Sequence, residues 1–151
     1  MPAKLQTVIV FFDADALIAG SASHEGAAFV LLQMSELGLI KGFTCQKAID
    51  ECRKNLQNKL PDALPAFEKC IATSIAILVN PTKKEAAQYK EMAHPKDCTI
   101  LTSALQINAD FLVTFNTKDF FPKPDLGLKI VKPGDLLKEI RAELSRLLTS
   151  K

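Results

Sequence analysis

The chain has 151 residues, 48% of them hydrophobic and 24% charged, with a formal net charge of +2. That length suits one domain with its own core, and that composition excludes a disordered chain. No apolar run is long enough to cross a bilayer and the opening "MPAKLQ" lacks the layout of a secretory signal, so residues 1–151 are expected to form a single cytoplasmic domain.

In chain order, residues 7–12 are continuously apolar and rich in β-branched and aromatic side chains, which predicts a central strand buried on both faces of a parallel sheet. Ala27, Val30, Leu31, Met34 and Leu37 recur at helical spacing within 24–37, and Gly38 stops that helix. A short strand follows at 42–44. Ile49, Cys52, Leu56 and Leu60 then mark one face of a helix that Pro61 ends, and 65–73 is a further helical segment. Residues 75–79 read as a second buried strand, 83–93 and 97–108 as helices, 111–114 as a short strand and 129–131 as an edge strand. After "KPGD", the apolar positions from Leu136 to Leu148 define an amphipathic C-terminal helix. Alternating strands and helices predict an α/β domain whose central sheet is mostly parallel and covered on both sides.

Cys45, Cys52, Cys70 and Cys98 have no paired metal spacing and the chain has two histidines, so reduced and largely buried thiols are expected. The acids carry more chemistry. "TVIVFFDADALIAG" places Asp13 and Asp15 at the end of the first strand, where an open parallel sheet binds its ligands. An aspartate there is also a natural helix N-cap, and the same holds for Asp97 in "HPKDCTILTSAL". Glu51 borders the buried stripe of its helix, on the same side as Asn55. In "ADFLVTFNTKDFF" a strand ends at Thr114, and Asn116 and Asp119 follow three apart. If the strands ending at Asp13 and Thr114 are neighbours, these acids converge on one crevice. Crowded carboxylates must protonate or hold a cation, and an all-oxygen set favours a hard divalent ion such as Mg²⁺, which can activate a water against a phosphodiester. Lys47, Arg53, Lys59, Lys96 and Lys118 flank the acids as phosphate contacts or as solvated surface lysines and arginine. Phe120 and Phe121 are the aromatic residues placed to meet a base.

"VIVFFDADALIAG", "AIDECRKNL", "HPKDCTILTSALQINADFLVTFNTKDFF" and "KPGDLL", in this order, resemble the motifs of the PIN-domain family, especially its VapC-type toxin ribonucleases. The resemblance implies a three-layer α/β/α fold and Mg²⁺- or Mn²⁺-dependent hydrolysis of RNA. It matches Asp13, Glu51 and Asp97 to the three core acids and Asn116 with Asp119 to the fourth acidic region. The catalytic set expected is then Asp13, Glu51, Asp97 and Asp119, with Asp13, Asp97, Asn116 and Asp119 on the metal. A cognate antitoxin and a homodimer are implied as partners, with docking expected on helices 24–37 and 65–73. Two positions depart from the pattern: Asp15 stands where asparagine is common, and Asn116 where aspartate is common. Two alternatives remain beside this one. "FFDADAL" also mimics the Asp-x-Asp of haloacid-dehalogenase-like phosphatases, and Asn116 admits a non-catalytic PIN module that binds RNA or a partner.

Overall fold

The computed structural model describes residues 8–149. Thr7, assigned above to the first strand, lies outside them. Five strands form one sheet in the order β3-β2-β1-β4-β5, every neighbouring pair parallel: β1 Ile9–Phe12, β2 Lys41–Cys45, β3 Ala76–Leu78, β4 Phe111–Val113 and β5 Lys129–Val131. β1 is central, as its unbroken apolar run requires, and Val10, Phe11 and Phe12 are fully buried.

Seven α-helices connect the described strands: α1 Ala14–Ala22, α2 Ala27–Glu36, α3 Gln46–Lys59, α4 Leu64–Ser74, α5 Lys83–Ala87, α6 Cys98–Gln106 and α7 Pro133–Thr149. The chain moves outward from β1 through β2 to β3, then crosses back to β4. Right-handed crossovers therefore put α1 to α4 on one face and α5 with α6 on the other, which makes the three layers of an α/β/α fold. α1, α2 and α4 pack against one another, and α7 lies against α2.

Several elements differ from the sequence expectation, each for a physical reason. α1 has no amphipathic stripe to announce it, because Ala14, Ala16, Leu17 and Gly20 bury most of its circumference. The 83–93 helix stops at Ala87 and continues as turns, with a 3₁₀ turn at Pro95–Asp97 ahead of α6. The segment 75–79 is an edge strand, not a buried one: Ile77 is 42% and Val79 90% exposed. Of the cysteines, Cys45, Cys52 and Cys98 are buried and all four are free thiols.

Candidate active site

Because all five strands run in parallel, their C-terminal ends share one edge, and the strand order reverses between β1 and β4. That switch point is the crevice where open α/β sheets bind ligands. Asp13 follows β1 and Thr114 follows β4, so both sit in it. The N-termini of α1 and α6 arrive at the same edge with Asp15 and Asp97, and the second turn of α3 brings Glu51. A pocket of about 240 Å³ lies here, and its lining includes Asp13, Asp15, Glu51, Asn55, Lys96, Asp97 and Asn116.

Asp13 is buried, with 8% of its surface exposed. Its Oδ1 accepts the Ala14 N–H at 2.8 Å as the N-cap of α1, and its Oδ2 accepts the Thr114 hydroxyl at 2.9 Å. The capping role is real and uses only one oxygen. Burial, then the neighbouring Asp15, push the Asp13 carboxyl up to about 7. The Asp15 carboxyl is also raised, chiefly by burial. Its Oδ2 accepts the Phe115 N–H at 3.0 Å and the Asn116 side-chain N–H at 3.2 Å, and lies 3.3 Å from the Thr114 hydroxyl oxygen. Asn116 thus turns its amide nitrogen to Asp15.

Asp97 occupies the N-cap position of α6 without making the cap hydrogen bond, so that reading of this residue does not hold. Its Oδ2 is buried and has no hydrogen-bond partner. Burial raises its carboxyl, and Asp119 and Glu51 push in the same direction against Lys96 and Lys47. Glu51 is half-exposed, its Oε1 3.6 Å from Lys47 Nζ. The same ammonium donates to the Lys96 carbonyl, tying α3 to the turn that carries Asp97. Asp119 ends a 3₁₀ turn, Thr117–Asp119, and stands beside the pocket rather than in its lining.

The site therefore brings together Asp13, Glu51, Asp97 and Asn116, with Asp119 close enough to act on Asp97. Among the described residues no three of the acids yet converge tightly enough to hold an ion as they stand. Their chemistry fits a hard divalent cation nonetheless: the donors are all oxygens, Asp97 Oδ2 is orphaned, and burial opposes the ionised forms. Of the flanking cations, Arg53 is committed to Glu68 through bonds of 2.8 and 3.0 Å, and Lys59 lies two helical turns, ~12 Å, beyond Glu51. Phe120 is 5% exposed and belongs to the core, so of the two phenylalanines expected to meet a base Phe121 is the one left exposed. Sequence reasoning passed over Thr114 as a strand end; the signal was a hydroxyl closing an apolar run, here fully buried between two acids.

An all-parallel α/β/α sheet with acids at its switch point defines a ligand-binding class of α/β fold, and comparison with known proteins gives the family. The PIN domain profile matches residues 9–118, and the chain belongs to the PIN-domain family, as a class one of nucleases, and not to the phosphatase family that "FFDADAL" mimics. Among solved structures, a chain of the crystal structure of VapBC2 from Rickettsia felis bound to a DNA fragment from their promoter shares the fold. The TM-score is 0.63 at 15% identity over 83% of this chain and 100% of that chain. No curated protein matches by sequence. Among the described residues no helix is long and apolar enough to cross a membrane.

Proposed function

We propose that the chain is a Mg²⁺- or Mn²⁺-dependent endoribonuclease, a single PIN domain working as the toxin of a toxin–antitoxin pair. One observation carries this reading: in a PIN domain, a pocket at the sheet's switch point gathers carboxylates, with Asp13 buried and one buried oxygen of Asp97 left without a partner. Asp13, Asp97, Asn116 and Asp119 would hold the ion. When bound, it supplies a water of lowered pKa and neutralises charge on the scissile phosphate.

The chain's own residues do the rest. The Ala14 N–H and the Thr114 hydroxyl fix both oxygens of Asp13, so the carboxylate keeps one orientation. The Phe115 N–H and the Asn116 amide hold Asp15 behind it. Glu51 Oε1 takes the proton of the attacking water, and Lys47 stands beside it to stabilise the group before transfer. Lys96, on the pocket rim, meets the phosphate. The oxygen of water bonds to phosphorus as the ester bond to the leaving oxygen breaks, and that oxygen departs as an alkoxide that takes a proton from solvent.

Likeness to a VapBC2 chain supports a small antitoxin as partner. A groove of about 330 Å³ between α1, α2 and α4, lined by His24, Phe29, Leu32 and Cys70, lies on the helices expected to dock it. The toxin itself is proposed to be a homodimer, to be read by light scattering across concentration. The activity is tested by incubating mixed RNAs with Mg²⁺ or Mn²⁺: internal cleavage that EDTA stops is the expected result. Intact RNA under every divalent ion, or cleavage indifferent to EDTA, contradicts the reading.

A further inference from the structure

Beyond the acid pocket lie two further hollows, which share Lys90 in their linings. The acid pocket's lining includes Lys96 and Asp97, and Pro95, which precedes them in the chain, lines a second hollow of about 310 Å³ with Lys83 and Lys90. Lys90 also lines a third, of about 480 Å³, whose wall includes Gln88, Glu91, Met92, Phe121 and Lys123. That volume lies within the ~300–1,000 Å³ of sites for small molecules.

Phe121 is the outlier on this surface. It is 54% exposed, while Phe120 beside it is 5% exposed, the alternation of an extended chain. Its position is nevertheless fixed by backbone. The Phe121 N–H donates to the Met92 carbonyl at 2.7 Å, the His94 N–H donates to the Asp119 carbonyl at 2.8 Å, and Ala93 faces Phe120 as an antiparallel bridge. One short ladder thus holds the aromatic ring and Asp119 in register, two residues or at most ~7 Å of chain apart.

From this geometry we infer that the surface carries a single-stranded segment of RNA, with one unpaired base stacked on Phe121 and adjoining phosphates against Lys83, Lys90 and Lys123. The inference rests on the ribonuclease reading and adds to it a binding subsite outside the acid pocket. Three lysines along one path complement a polyanion, and an aromatic face accepts any base without reading its sequence. Gln88 and Glu91 offer polar atoms to the base edge, and Glu91 keeps phosphate from the base end of the hollow. A base inside a duplex is stacked on both faces and cannot lie on Phe121, so paired RNA is excluded from this contact.

Binding is measured with wild-type protein in EDTA, where metal-dependent cleavage is off, using a single-stranded RNA oligonucleotide carrying 2-aminopurine. Quenching on binding is expected, with Phe121→Ala about tenfold weaker and Phe121→Trp within about threefold of wild type. Lys90→Ala with Lys123→Ala should flatten the slope of log affinity against log salt by about 1.4. Unchanged thermal unfolding of Phe121→Ala separates a lost contact from a lost fold. Equal affinity of Phe121→Ala and wild type, equal binding of the same sequence as a duplex, or no RNA binding at all would overturn the inference. The two readings fail separately. RNA bound through Phe121 but never cut with Mg²⁺ removes the nuclease and leaves the track, whereas cleavage untouched by Phe121→Ala removes the track and leaves the nuclease.

Discussion

Asp13 is held at a cost that its chemistry explains. Burial and the neighbouring Asp15 push its carboxyl up to about 7 from 3.8 for an ordinary aspartate, a difference of about 4 kcal/mol. The sign follows from proton binding: between pH 4 and 7 the unfolded chain has released this proton and the folded chain still holds it, so stability falls as pH rises through that window. Asp13→Asn should match wild type near pH 4 and, in EDTA at pH 7.5, exceed it by several kcal/mol, as read from denaturant unfolding at both pH values. Thr114→Val removes the donor to Asp13 and the acceptor of the Asn116 N–H, and should cost about 1–3 kcal/mol and about tenfold in cleavage rate. Asn116→Asp puts a carboxylate where an amide N–H now reaches Asp15 at 3.2 Å. Its melting temperature should drop in EDTA and recover in Mg²⁺ beyond the gain seen for wild type; equal gains would take residue 116 off the metal.

At the scale of elements, the site stands on helix N-termini delivered to one sheet edge by close packing. A Cβ on Gly20 would lie 2.5 Å from Leu32 Cδ1 and 3.0 Å from the Ala28 carbonyl oxygen, so α1 meets α2 at a distance only glycine allows. Gly20→Ala should destabilise the fold by about 1–3 kcal/mol in denaturant titration, since the backbone oxygen cannot step aside. By contrast, Arg53→Ala breaks an exposed ion pair with Glu68 between α3 and α4 and should cost under about 1 kcal/mol, with cleavage unchanged. Sequence patterns were legible where one face alone is buried: α3 and α7 show clear stripes. They failed where burial is all round, as in α1, or where an apolar segment such as Ile77 to Val79 lies at a sheet edge. Among the site residues, acids at strand ends were readable because they recur after several apolar runs of one chain, beyond the helix capping that each could do alone. Thr114 was not, since a hydroxyl at a strand end is ordinary until its two acidic neighbours are seen.

For the whole molecule, a partly buried acid cluster that opposes its own ionisation meets the cation-dependent hydrolysis proposed for it. Mg²⁺ or Mn²⁺ is expected both to stabilise the folded chain, by mass action, and to switch on hydrolysis. The most direct measurement is the rate of single-stranded RNA cleavage across a Mg²⁺ titration for wild type and Asp13→Asn, with both proteins shown folded by circular dichroism. Wild type should go from no cleavage in EDTA to saturating cleavage, and Asp13→Asn should remain at least 100-fold slower at every concentration. Asp13→Asn cleaving at the wild-type rate, or wild type cleaving as fast in EDTA as in Mg²⁺, would contradict it.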